Sequence, residues 1–126
     1  MVKVDDYPVE VEMIDWERVA ELRSEIGAEG FSEVLELFLD EVEGVAMGLG
    51  KNRAKLEEDL HFLKGSAWNL GFAAFGRLCQ AGERACAAGH ADEVDVPAVL
   101  ASYAQSKAQF MTRVDEFCAN DGEAAA

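Results

Sequence analysis

Between Phe31 and about Met47 the apolar residues Phe31, Val34, Leu35, Phe38, Leu39, Val42 and Val45 recur at spacings of three and four, the period of a helix that buries one face. The same period returns from Arg53 to Asn69, where Leu56, Leu60, Leu63, Ala67 and Leu70 step by 4, 3, 4 and 3. A further helix is expected from Ala73 to about Ala88, with Phe75, Leu78, Cys79, Gly82, Ala85 and Cys86 inward and Gly76, Gln80 and Glu83 along another stripe. Leu100, Tyr103, Phe110, Val114 and Phe117 form the seam of a last one. A shorter helix, Trp16 to Ile26, is set by Asp15 as N-cap, by Ile14 and Val19 at the two positions of a hydrophobic staple, and by Gly27 as its stop.

The punctuation agrees with this division. Gly48 and Gly50 interrupt the chain before Asn52, which suits an N-cap, while Gly71 and Gly89 close the third and fourth helices and Pro97 fits the first turn of the last. No strand pattern or internal repeat is present. Short connections favour antiparallel neighbours, so the expected fold is all-α: an antiparallel up-down four-helix bundle with an additional short N-terminal helix packed across it. Residues 1–14 read as an N-terminal arm, 15–119 as the helical bundle and 120–126, NDGEAAA, as a flexible tail.

Composition narrows the partners. The chain has 126 residues, 50% hydrophobic and 29% charged, in keeping with one soluble globular domain. Its 11 Lys and Arg stand against 25 Asp and Glu, a net charge of −14 that repels phosphate backbones and anionic lipid. Nucleic acid and membrane partners are therefore not expected. No apolar run approaches the ~18 residues of a membrane span, and MVKVDDYPVE lacks the apolar core of a signal peptide, so a cytoplasmic location is expected. Cys79, Cys86 and Cys118 are odd in number and match no zinc spacing; no metal site is expected, and the thiols read as small core residues.

One face of the third helix carries chemistry. His61, Lys64 and Gly65 occupy positions i, i+3 and i+4, neighbours on a single patch. An imidazole can act as a nucleophile and an ammonium can stabilise added negative charge. Gly65 lies mid-helix, where glycine costs roughly 1 kcal/mol relative to alanine, so close packing or function must offset it. An acceptor for Nδ1–H would hold Nε2 unprotonated, and Glu83, or Glu57 and Glu58 one turn back, are the candidates. Trp68, at i+7, reads first as buried packing and alternatively as a docking anchor. Phe62 either flanks the docking surface or packs on a neighbouring helix. His90, in an acidic loop, reads as solvated, and Glu57, Glu58 and Asp59 as a solvated face.

HFLKGSAWNLG, from His61 to Gly71, resembles the signature of the histidine phosphotransfer (HPt) domain of multistep phosphorelays: the histidine, the Leu two residues on, the Lys-Gly-Ser run and the closing Leu-Gly. The likeness continues through Leu78, Cys79 and Glu83, and IDWERVAELRSEIGAEGFSEVLELFLDEV resembles the first two helices of that family. It implies that His61 is phosphorylated and exposed midway along a bundle helix. Partners are then receiver domains of response regulators or hybrid histidine kinases, which supply the aspartate and the Mg²⁺. The chain itself would need no cofactor, have no kinase activity and act as a monomer.

By the same resemblance Lys64 contacts the phosphoryl group and Gly65 lets the receiver approach, with Glu83, Gln80, Phe62 and Trp68 as further phosphoryl-stabilising or docking positions. Glu83 stands where some relatives carry Gln, and Trp68 where a small residue is more usual. The rival reading is an acidic helical adaptor that binds a receiver or kinase without carrying phosphate; such an adaptor would be expected to lose His61 or Lys64, and both are present. A metal-dependent or hydrolytic enzyme fits poorly, since no second histidine or carboxylate pair lies at a helical spacing that converges on His61.

Overall fold

The computed structural model describes residues 13–118, and these form α1 (Trp16–Ile26), α2 (Ala28–Met47), α3 (Leu56–Leu70), α4 (Ala73–Ala87), α5 (Val96–Met111) and the single turn α6 (Asp115–Cys118). The architecture is all-helical, with an isolated antiparallel bridge between Ile14 and Phe72. Most of the expected arm and all of the expected tail lie outside the described residues, as does the Phe117 side chain of the expected seam. No helix among the described residues is long and apolar enough to cross a membrane.

The helix ends follow from capping chemistry. Asp15 Oδ1 accepts the Arg18 N–H at 3.2 Å and Gly27, at φ 98°, ends α1. α2 begins three residues before its apolar pattern, because Ala28, Glu29 and Gly30 add a turn without a large apolar side chain, and Glu29 suits the positive end of the helix dipole. Asn52 Oδ1 accepts the Ala54 N–H at 3.0 Å, yet Arg53–Lys55 wind as a 3-10 turn before α3 proper. The expected last helix is broken: α5 stops at Met111, and Thr112 turns its Oγ1 back onto the Gln109 carbonyl at 2.6 Å.

Leu56, Leu60, Leu63, Ala67 and Leu70 of α3 are all buried. They meet Phe31, Leu35 and Val42 of α2, Phe75 and Cys79 of α4, and Val99, Tyr103 and Phe110 of α5 in one core. Two inward assignments change. Leu78 is 39% exposed, because it lies 100° round α4 from Cys79 and only Cys79 faces the core. On α5 the buried line runs through Val99, Ser102 and Ser106, and Leu100 is half-buried at its edge. Aromatic rings close the core: Phe72 packs edge-on to Phe110 at 5.2 Å, Tyr103 sits 5.2 Å from Phe75, and Trp16 stacks on Phe110 at 5.7 Å.

The turn between α3 and α4 is held from both sides. Gly71 is left-handed at φ 82°, its N–H donates to Trp68 O at 3.3 Å, and the Phe72 N–H donates to Ala67 O at 2.8 Å, the paired bonds of a Schellman cap. The chain entering α1 then straps this turn. The Asp15 N–H donates to Gly71 O at 2.7 Å, Met13 O accepts the Ala74 N–H at 3.4 Å, and Arg18 Nε donates to Asn69 O at 3.2 Å. Ile14, on the arm side of the expected boundary, is buried against Phe72.

A Cβ on Gly71 would lie 2.7 Å from Asp15 O and 3.1 Å from Val19 Cγ2, in a backbone conformation that L side chains avoid. Gly71→Ala should therefore destabilise the fold by at least about 1–2 kcal/mol, the cost of the left-handed conformation before any clash. Urea denaturation followed by circular dichroism checks this.

Candidate functional site

His61 leaves α3 one turn after the acidic start of that helix and is 69% exposed. Its neighbours on the stripe, Leu60 and Leu63, are fully buried, so the helix is pinned by one face and presents the imidazole on the other. Nδ1 lies 2.7 Å from Glu83 Oε2 on α4. Of the three carboxylates at candidate spacing, tertiary packing therefore selects Glu83, while Glu57 and Glu58 line a shallow depression with Ala54, His61 and Glu83.

The second carboxylate oxygen is engaged as well. Lys64 Nζ stands 2.7 Å from Glu83 Oε1. The Lys64 ammonium, and after it the bond from His61, hold the Glu83 carboxyl below its ordinary value of 4.5 against an opposing effect of burial. Glu83 is thus an ionised acceptor at neutral pH. An acceptor of this kind requires a proton on Nδ1, which leaves Nε2 with its lone pair directed outward, and among the described residues nothing bonds to it. The arrangement is that of an oriented nucleophile.

Gly65 sits one turn beyond His61, and a Cβ built on it would meet nothing within 4 Å. Its cost to the helix is therefore offset by no packing among the described residues. Gly76 and Gly82 of α4 differ from it: a Cβ on Gly76 would lie 2.8 Å from Trp68 Cζ3, and one on Gly82 would lie 2.9 Å from Leu60 Cδ1. The order of these contacts, Leu60 with Gly82 and Trp68 with Gly76, runs α3 and α4 in opposite directions.

The remaining sequence-derived positions separate. Trp68 is not buried but 39% exposed, because its indole lies over Gly76 at the rim of the α3–α4 contact rather than beneath it. Phe62 is 38% exposed and is not in the buried core. Gln80 is half-buried one turn before Glu83, with no hydrogen bond to His61 among the described residues. His90 is exposed, 3.4 Å from Glu93. Cys79 is buried, with its thiol pushed up to about 12 by burial, which makes it unreactive. No group of His, Cys, Asp and Glu among the described residues is arranged to hold a metal ion. Gly76 shares a stripe with Gln80 and Glu83 in the sequence, and its seating of Trp68 is signalled there only by a mid-helix glycine soon after a tryptophan.

Two outcomes are expected. Gly65→Ala should stabilise the fold by about 0.5–1 kcal/mol, since helix propensity improves and no neighbour is displaced, measurable by urea denaturation. In Glu83→Ala the lock on Nδ1–H is lost, so ¹⁵N NMR of the imidazole should show the Nδ1–H tautomer dominant in the parent protein and the Nε2–H tautomer gaining population in the variant.

Comparison with family models finds a match to the Hpt domain over residues 33–117. Neither the search of curated proteins nor the search of solved structures returned a match. The matched span takes in most of α2, all of α3 to α5, and every side chain of the His61, Lys64 and Glu83 cluster. Hpt domains are phosphocarrier modules of histidine phosphorelays rather than kinases, and they interact with receiver domains. With more than half of its length inside the match and an oriented, solvent-facing histidine at its centre, the chain belongs to the Hpt domain family.

Proposed function

We propose that this protein is a phosphorelay intermediate in which His61 accepts a phosphoryl group from the aspartate of one receiver domain and passes it to the aspartate of another. The observation that carries the reading is the pairing of His61 Nδ1 with the ionised Glu83, at 2.7 Å, on an imidazole that is otherwise open to solvent. Nε2 attacks the phosphorus of the acyl phosphate in line; the N–P bond forms as the P–O bond to the receiver carboxylate breaks, and the carboxylate leaves as the anion. Glu83 keeps the Nδ1 proton and balances the positive charge that the ring gains on phosphorylation. Transfer onward is the reverse of these steps on a second receiver.

Lys64 is the nearest cation to the new phosphoryl group. In the resting protein it is bound to Glu83, so its part in transfer is to turn from the carboxylate toward the phosphoryl oxygens. Gly65 leaves the approach to Nε2 unobstructed. Mg²⁺ belongs to the receiver, and this chain contributes no cofactor of its own. The reading includes an antiparallel up-down four-helix bundle with α1 packed across it, acting as a cytoplasmic monomer. Its support lies in the opposed run of α3 and α4 and in the strap that the chain entering α1, with Arg18 of that helix, makes over their turn.

The test is to incubate the protein with phosphorylated receiver domains and to follow acid-labile, alkali-stable phosphate on the parent protein and on His61→Gln. Label is expected on the parent alone. Transfer that survives the substitution would sink the assignment, and receiver binding without any transfer would favour the adaptor reading.

A further inference from the structure

Two features of the His61 face are not used by the transfer chemistry. The first is Trp68, 39% exposed, with its ring laid over Gly76 so closely that a single added methyl would meet it at 2.8 Å. A glycine in the interior of α4 costs stability, and here it serves to seat a large aromatic ring that remains partly in water. The second is the pair Glu57 and Glu58, both exposed at the opposite end of α3, beside the depression that His61 and Glu83 line. Glu57, Glu58, His61, Gly65 and Trp68 share one face of α3, which spans roughly 17 Å from first to last. That face carries two carboxylates toward the N-terminus of the helix, with Arg53 and Lys55 of the preceding turn before them, is open at Gly65, and is aromatic toward the C-terminus.

We infer that this stripe is a directional docking surface for the receiver domain, with an apolar patch of the receiver seated on Trp68 and cationic side chains of the receiver placed against Glu57 and Glu58. The inference rests on the reading of His61 as the phosphoryl carrier, since a partner that reaches Nε2 must cover the middle of the stripe. A protein interface of ordinary size buries about 800 Å² on each side, so a partner centred on His61 meets both ends. One orientation pairs the two carboxylates and desolvates the indole. The reverse lays apolar surface over Glu57 and Glu58 and strips their water without a partner, which is costly. The indole is held in place before binding, so little side-chain freedom is lost when it is covered. The charge of −14 further selects a receiver with a basic edge and speeds its approach.

The experiment uses a receiver domain that donates phosphate to the parent protein, and measures by calorimetry its affinity in the unphosphorylated form. Trp68→Ala is expected to weaken binding by about tenfold or more, as a central aromatic anchor does. Gly76→Ala should weaken it too, by displacing the indole without deleting any exposed side chain. Glu57→Lys combined with Glu58→Lys should slow association and reduce its dependence on salt. Thermal melting reports whether each variant is folded; if Trp68→Ala is not, Trp68→Phe and the charge-reversed variant decide the matter. Affinities within twofold of the parent in all folded variants overturn the docking inference and leave the carrier function intact. Failure of every receiver to label His61 overturns the functional reading and this inference with it.

Discussion

The close approach of α3 and α4 is the constraint on which the rest of this structure depends. It is made by two glycines of α4. Leu60 presses on Gly82 and Trp68 lies over Gly76, at distances that a Cβ on either glycine would not permit. Those contacts bring the backbones of the two helices near enough for Glu83 to reach across to Nδ1 of His61 and to Nζ of Lys64. A bulkier α4 would move Glu83 away from both. The geometry of the site is thus a consequence of core packing one residue away: Leu60 precedes His61, and Gly82 precedes Glu83.

That packing is kept in register by the turn that joins the helices. The Schellman cap at Gly71 ends α3, the chain from Met13 to Asp15 bonds to both sides of the turn, and Ile14 is buried against Phe72. Phe72 carries the connection inward to Phe110 and Tyr103 on α5, and Tyr103 in turn donates to Glu43 of α2 at 2.8 Å. Lys107 and Tyr103 together hold the Glu43 carboxyl below its ordinary range, a second interhelical carboxylate cluster with no imidazole in it. The two clusters use the same electrostatics, an ionised acid shared by two donors. Only the one at Glu83 leaves a nucleophile facing solvent.

Charge distribution sets the character of the site. Lys64 is the cation beside His61 and its charge is already matched by Glu83, so the resting face is anionic, with Glu57 and Glu58 adding to it. A phosphoryl group on Nε2 enters a region of like charge and competes with Glu83 for the same ammonium. In the transfer proposed above, this like charge favours passing the group on over storing it. Glu83 itself orients the imidazole, by accepting from Nδ1.

The sequence by itself determined the helices and most of their limits, because the signals are local: Asp15 and Asn52 cap with their own side chains, Pro97 sits in the first turn of α5, Gly27, Gly71 and Gly89 supply the positive φ that ends a helix, and the 4-3-4-3 step of α3 names its buried stripe. It also determined His61, Lys64 and Gly65 as neighbours on one patch, since helical spacing alone places them together, although Lys64 is half-buried against Glu83. Tertiary structure decided what depends on the neighbouring helix. Glu83 was chosen over Glu57 and Glu58, Lys64 was tied to it, Leu78 was turned out in favour of Cys79, and Trp68 was lifted onto Gly76 instead of into the core. Each of these rests on how closely and at what rotation two helices pack, a relation between distant segments that no periodicity within either one encodes.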